Sequence, residues 1–429
     1  MPGNEIRKLN MVIGSSQSLG IIEVPPSKSI LNRIVLIASL AGGESIIHGL
    51  YPGQCAEDVS LMVNGLSALG VAPAFKGGSL RISGRHFHNP SDPIQVGAAG
   101  TVLRFLLPLA ALRCTGPVKF IGSKRLFERP LRPLLDALST FGAAWRPEAN
   151  GGLLIPPETA PRFLDLEIDG ASSSQFISGM AMAIAGLPGG GVLRWTRPPV
   201  SQGYLSLTKL CLERFKCGAR LSEASFEIPG GSLEPASIQV LGDWGAAAVF
   251  FCAAAILGRE IEVHPLDPED GQPDSAILPV LEKTGSSWRF KGNRCYFKGC
   301  LNTGINADLI NCPDLAPTLA ATAALAPGVS ELGGLNTLPG KECDRLRASM
   351  DLVKWLGGEG EELPDFALRI HPATSATNPP GEPFDPMGDH RMAFAAALGG
   401  LRKGGAVLNP ACVSKSFPGF WEMLERLYH

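Results

Sequence analysis

Residues 29–42 read Ser29-Ile30-Leu31-Asn32-Arg33-Ile34-Val35-Leu36-Ile37-Ala38-Ser39-Leu40-Ala41-Gly42. Apolar residues fall on every side of this segment at helical spacing, small ones are interspersed, and glycine ends it, so it predicts a buried helix. The pattern then returns. Ala-rich, small-residue helices closed by glycine are predicted over 101–116, 174–186, 245–258, 315–328 and 391–404, so their starts recur roughly every 70 residues. A short β-rich run follows each, at 45–50, 118–121, 192–196, 261–264, 329–332 and 406–408. A more amphipathic helix comes next, over 57–69, 131–141, 204–215, 274–283, 343–356 and 419–427.

Around the first helix, 21–24 reads as a strand before it, and 72–75 and 80–83 as two strands closing the unit. The unit is therefore βαβαββ, and six of them account for the 429 residues. The sixth runs out after its second helix, and its missing strand is expected from 8–14 at the other end of the chain. That puts the N-terminal segment with units four to six. The expected organisation is α/β, with two similar domains of three repeats each: 1–25 plus 241–429, and 26–240.

Charged residues make up 18% of the chain and hydrophobic ones 45%, which excludes disorder. The net charge of −2 supplies no global field for nucleic acid or anionic lipid, so neither partner is expected. Ten cysteines lie without a CxxC pair or metal-type spacing, which fits a reducing compartment and no metal centre. The first residues lack the apolar core of a signal peptide. The longest apolar stretch, Trp244–Leu257, is shorter than a membrane span and predicts a buried helix. A cytoplasmic protein is expected.

Charged and polar residues concentrate where the helices begin. First-helix starts read Ser27-Lys28-Ser29, Gly97-Ala98-Ala99-Gly100-Thr101, Ser172-Ser173-Ser174-Gln175, Gly242-Asp243, Pro313-Asp314 and Asp389-His390-Arg391. Loaded second-helix starts are Arg125 with Glu128-Arg129-Pro130, Ser201 with Tyr204, Lys341-Glu342-Cys343-Asp344-Arg345, and Ser414-Lys415-Ser416. A cation at the positive end of a helix is unfavourable by a few tenths to about 1 kcal/mol unless an anion offsets it. Free N–H groups at the same place suit phosphate and carboxylate. Lys28, Arg129, Lys341, Arg391 and Lys415 together imply one or two ligands carrying several negative charges. Other chemistries are weaker: Lys341 is followed by Glu342 and not by the Ser or Thr of a Walker A loop, and His86 with His88 suits a surface pair better than a metal site. Cys412 near Lys415 suits a buried inert thiol better than a nucleophile.

These motifs, taken in order, resemble the enolpyruvyl transferases, in the branch that acts on shikimate-3-phosphate. The match runs through Pro26-Ser27-Lys28-Ser29 with Asn32-Arg33, Gly100-Thr101 with Arg104, Glu128-Arg129-Pro130, Ser173-Ser174-Gln175 and Gly242-Asp243. It continues through Pro313-Asp314, Lys341-Glu342 with Asp344-Arg345, Asp389-His390-Arg391-Met392 and Lys415-Ser416-Phe417-Pro418. The resemblance implies an inside-out α/β barrel in each domain, an active site in the interdomain cleft, and a monomer without metal or organic cofactor. It implies transfer of the enolpyruvyl group of phosphoenolpyruvate (PEP) to the 5-hydroxyl of shikimate-3-phosphate, with glyphosate as a possible inhibitor at the PEP site. Lys28, Gly100, Arg129, Gln175, Arg345, Arg391 and Lys415 are implied to face PEP. Lys28, Ser29, Arg33, Ser173, Ser174, Gln175, Ser201, Asp314 and Lys341 are implied to hold shikimate-3-phosphate. Asp314 would be the base for the 5-hydroxyl, and Glu342 with Lys28 would help protonate the PEP methylene.

The chain departs from the pattern at three places. Ala98 stands where the family usually has asparagine, Gly245-Ala246 where it has a Ser-rich pair, and Thr337 where an asparagine is familiar. The sister activity toward UDP-N-acetylglucosamine normally uses a loop cysteine that the stretch Arg125 to Arg129 lacks. A non-catalytic anion-binding homologue would have to explain why Asp314, Glu342, Lys28 and Lys415 all remain.

Overall fold

The Ser27 hydroxyl accepts a hydrogen bond from the Ile30 amide and starts the helix Lys28–Leu40, whose residues from Ile30 onward are all buried. Five more such helices follow in the computed structural model, which describes residues 5–12, 16–51, 53, 55–373 and 381–428. They are Gly100–Arg113, Ser174–Ile184, Trp244–Leu257, Ala316–Ala324 and His390–Lys403. A helix hidden on every side must pack closely, and small residues allow it: a Cβ on Gly179 would lie 2.3 Å from the Arg104 carbonyl oxygen on the neighbouring helix. Trp244–Leu257 is a 14-residue helix buried along nearly its whole length. Among the described residues no helix is long and apolar enough to cross a membrane.

The chain divides into two compact units, Ser27–Val240 and Met1–Pro26 with Leu241–His429. Each has its own apolar core, and in each the three small-residue helices pack on one another. The repeat is plainest in its second copy. Ile94–Gly97 pairs parallel with Val118–Gly122, which pairs antiparallel with Gly151–Ile155, itself in a hairpin with Ala144–Glu148. The third and fifth copies build sheets of the same strand order.

The first and fourth copies differ from the sequence reading. The strand before the first helix, Ser18–Glu23, does not complete the first sheet; it pairs parallel with Glu260–His264 in the fourth. The vacant edge of the first sheet is taken by Ser237–Gln239, parallel to Glu44–His48. Each of these strands thus pairs within its own unit, Ser18–Glu23 in Met1–Pro26 with Leu241–His429 and Ser237–Gln239 in Ser27–Val240, although the helix that follows it in sequence belongs to the other. The sixth copy is completed from the N-terminal segment by Ile6–Leu9, antiparallel to Gly405–Leu408. This strand begins and ends earlier than the expected 8–14, of which 13–14 lie outside the described residues. His86 and His88 follow the strand Ser79–Ser83 in irregular chain, and His88 Nδ1 donates to the Asn89 carbonyl at 3.0 Å.

Candidate active site

In the unit Ser27–Val240 the expected residues gather at the starts of the buried helices. Lys28 opens the first, and its Nζ lies 3.0 Å from Asp58 Oδ2, a buried carboxylate in the first turn of the helix Glu57–Ala68. The anchor offsets a cation that the helix dipole disfavours. Arg33 is 2% exposed: Nε donates to Thr208 Oγ1 at 2.8 Å, Nη1 to the Ser29 carbonyl at 2.8 Å and Nη2 to the Tyr204 carbonyl at 3.3 Å. Phe105 and Tyr204 stack on it. Burial pushes its guanidinium pKa down.

Gly100 begins its helix with no side-chain cap at Ala99, and the Arg129 guanidinium lies over the bare turn. A Cβ at Gly100 would lie 2.8 Å from Arg129 Nη1. Arg104 Nη1 donates to Gln175 Oε1 at 2.7 Å and its Nη2 to the Pro130 carbonyl at 2.8 Å, while Gln175 Nε2 reaches Thr101 Oγ1 at 3.4 Å. These contacts fix the amide's orientation. Burial and the neighbouring Arg129 hold Arg104 well below its ordinary value. Ser173 caps the helix Ser174–Ile184 through the Gln175 amide, and Ser174 is buried behind it. Ser201 is buried with φ at +54°, a left-handed conformation unusual for a side-chain-bearing residue and a recurrent mark of functional loops.

The other unit holds a network of ion pairs. Asp314, on the turn Pro313–Leu315, accepts from Lys341 Nζ at 3.0 Å and Arg345 Nη1 at 2.8 Å, with Arg391 Nη2 at 3.5 Å. Burial pushes its pKa up, but Lys341, Arg391 and Arg345 outweigh it and hold the carboxyl well below the usual range. Glu342 is treated alike: against burial, Lys415 at 2.8 Å and His390 at 3.1 Å, with Arg345, keep it ionised. It is a carboxylate in this charge state, so it can deliver a proton only after taking one from a neighbour. Arg345 is gripped by the fully buried Asp389, whose Oδ2 accepts from Nε at 2.7 Å and Oδ1 from Nη2 at 3.0 Å.

Glu342, Asp389 and His390 offer atoms within 4.8 Å of one another. Both oxygens of each carboxylate are already engaged, by Lys415 and His390 for Glu342 and by Arg345 for Asp389. The chemistry is that of ion pairs and not of a metal site. Cys412 has its thiol pushed up to about 12 by burial, with Asp389 and Glu342 adding to it, which suits an inert group.

Asp58, Arg104, Asp389 and His390, with Asp274 at 3.4 Å from Arg391 Nη2, belong to these clusters and were not singled out as site residues from the sequence. Arg104, Asp389 and His390 stood inside quoted motifs and could have been found by asking what orients Gln175, Arg345 and Glu342. An acid early in a helix, as Asp58 is, is ordinary dipole chemistry and carries no signal of its own.

The family model for EPSP synthase (3-phosphoshikimate 1-carboxyvinyltransferase) matches residues 12–424. The 3-phosphoshikimate 1-carboxyvinyltransferase of Syntrophobacter fumaroxidans is 35% identical over 417 residues, covering 95% of this chain and 96% of the relative. The protein of the same name from Methanocorpusculum labreanum is 31% identical, with 98% of each covered. The structure of EPSP synthase from Acinetobacter baumannii superposes with a TM-score of 0.76 at 22% identity, covering 99% of this chain and 98% of that one, and so shares the fold. A match of this length to the family model, over a chain whose helix starts carry these clusters, places the chain in the EPSP synthase (3-phosphoshikimate 1-carboxyvinyltransferase) family.

Proposed function

We propose that this chain transfers the enolpyruvyl group of PEP to the 5-hydroxyl of shikimate-3-phosphate, giving EPSP and phosphate in the shikimate pathway. The observation that carries the mechanism is Asp314, a carboxylate kept ionised among Lys341, Arg345 and Arg391. Such a group accepts a proton at neutral pH. As the 5-hydroxyl oxygen bonds to C2 of PEP, its proton passes to Asp314, and a proton added to the methylene carbon completes a tetrahedral intermediate. Loss of phosphate from C2 and of a proton from the methyl group then restores the double bond.

The methylene proton comes through Glu342, which Lys415 and His390 flank at 2.8 and 3.1 Å as sources, with Lys28 assisting. Arg129, Arg345, Arg391 and Lys415, with Gln175 and the bare turn at Gly100, hold the PEP carboxylate and phosphate. The guanidinium fork suits both groups. Lys28, Ser29, Arg33, Ser173, Ser174, Gln175, Ser201 and Lys341 hold shikimate-3-phosphate. A positioned base contributes roughly 10²–10⁴-fold, and the remainder comes from orientation and from cations around the developing charge. We take the enzyme to act as a cytoplasmic monomer, where its ten free thiols stay reduced, and glyphosate to compete with PEP.

The test is phosphate release from PEP with shikimate-3-phosphate, beside PEP with UDP-N-acetylglucosamine and an Asp314→Ala control. Release with shikimate-3-phosphate alone, lost in the control, is expected. Shikimate-3-phosphate binding without release would overturn the reading in favour of a non-catalytic homologue.

A further inference from the structure

Gly245 is the second residue of the helix Trp244–Leu257, where glycine is worse than alanine by up to about 1 kcal/mol. Its φ is not positive, so backbone conformation does not require it. Space does. A Cβ there would lie 2.4 Å from Arg391 Nη1, 2.8 Å from Arg391 Nη2 and 2.6 Å from Asp274 Oδ2. Asp274 sits on the turn Pro273–Ala276, is buried, and approaches Arg391 Nη2 at 3.4 Å. That turn is clamped to the helix start by Gln272, whose Nε2 donates to the Gly242 carbonyl at 2.9 Å while its Oε1 accepts from the Trp244 amide at 3.2 Å. The guanidinium of Arg391 therefore occupies a recess with a bare helical turn as floor, a carboxylate as wall and a fixed hinge behind.

We propose that Gly245 and Asp274 form a seat for the Arg391 guanidinium, and that this seat sets where Arg391 meets PEP. The inference rests on the enolpyruvyl-transfer reading for the identity of the anion. Gly245 and Asp274 are positioning residues, since neither is required to touch the substrate. The arrangement repeats in the other unit with different parts, where the bare turn at Gly100 accommodates Arg129. Two arginines assigned to the same substrate thus each rest on a glycine at the start of a buried helix.

The three nearest heavy atoms a methyl group at position 245 would meet are side-chain ends of Arg391 and Asp274 and not backbone, so Gly245→Ala should fold and displace the guanidinium. Steady-state kinetics on the full chain should then show the PEP KM raised about tenfold or more, the loss of roughly one charge-assisted hydrogen bond, with the shikimate-3-phosphate KM within roughly twofold. Asp274→Asn should act in the same direction by keeping the wall's shape but removing the charge that faces Arg391. In an Arg391→Lys background the thinner side chain leaves the recess unfilled, and adding Gly245→Ala should change the PEP KM by less than about threefold. A PEP KM within roughly twofold of the parent in Gly245→Ala, or an equal rise for both substrates, would overturn the seat. If the unmodified chain releases no phosphate, the activity fails and not the seat. The same variants are then read by calorimetric PEP affinity, where an unchanged Kd overturns it.

Discussion

Asp389 makes two contributions that can be separated by substitution. Its carboxylate grips Arg345 with both oxygens, at 2.7 and 3.0 Å, and Oδ1 also accepts from the Arg391 amide at 2.9 Å to cap the helix His390–Lys403. Asparagine caps as well as aspartate, so Asp389→Asn removes the ion pair and keeps the cap, whereas Asp389→Ala removes both. Breaking a buried pair by removing one partner costs about 3–5 kcal/mol. Arg345 keeps Asp314 at 2.8 Å and Glu342 at 3.8 Å, which lowers the expectation for Asp389→Asn to about 2–4 kcal/mol. For a unit of this size each kcal/mol moves Tm by roughly 2–4 °C, so a fall of roughly 5–15 °C is expected by scanning calorimetry, and about 1 kcal/mol more for Asp389→Ala. The PEP kcat/KM should fall in both, because Arg345 loses its orientation. A Tm within about 2 °C of the parent for Asp389→Asn would refute the ion-pair assignment. Equal losses in the two variants would refute the cap.

Burial pushes the Asp274 carboxyl up to about 6 against the pull of Arg391, from an ordinary value of 3.8. Between those values the native protein holds a proton the unfolded chain has released, so this group adds stability as pH falls. Asp314 and Glu342 have the opposite sign: held well below 3.8 and 4.5, their contributions are full above those values and lost as pH falls beneath them. Asp274→Asn should therefore remove a gain of about 1 kcal/mol in unfolding free energy between about pH 7 and pH 5, and an unchanged slope in urea titrations across that range would contradict the burial argument. Gly179→Ala should gain up to about 1 kcal/mol in helix propensity, yet lose net stability by about 1–3 kcal/mol from the clash with the Arg104 carbonyl; a raised Tm would show that the helices can part. Ala98→Asn adds an amide before the turn that carries Gly100 and should lower the PEP KM, and an equal KM would remove Ala98 as a tuning position.

The repeat was legible because buried helices leave a strong mark: small residues, an apolar run and a closing glycine, at a constant period. Strand membership was not. The segment 21–24 lies next to the first helix, and nothing in its side chains says whether its backbone pairs with Glu44–His48 or Glu260–His264, since main-chain hydrogen bonds are the same for both. The expected N-terminal strand, 8–14, starts two residues later and ends five residues later than Ile6–Leu9 for a related reason. Ile6–Leu9 is a half-exposed edge with little alternation, and 8–14 has the more apolar appearance. At the site, the cations were legible because lysine or arginine at a helix start opposes the dipole and demands explanation. Their partners Asp58 and Asp274 were silent, because an acid there agrees with the dipole. Gly245 registered only as a departure from a pattern, and its meaning needs the position of Arg391.

The directions in which burial and charge move the arginines separate the work of the two units. Arg33 and Arg104 have neutral partners, hydroxyl, amide and carbonyl, and burial pushes both down. Arg345 is as deeply buried, yet Asp389, Asp314 and Glu342 outweigh burial and push it well above its ordinary value. A buried cation without a counter-charge gains most from an arriving anion, because the desolvation of the guanidinium is already in place and only the attraction is missing. Under the proposed function, an anion that meets Arg33 or Arg104 would relieve that electrostatic cost, whereas Lys28 in the same unit already has the Asp58 carboxylate at 3.0 Å. In the other unit the cations are matched by carboxylates before any ligand arrives, so an anion there must compete with Asp314, Glu342 and Asp389 for donors. What that unit gains in exchange is two ionised carboxylates in contact with cations, each able to accept a proton as the proposed function asks.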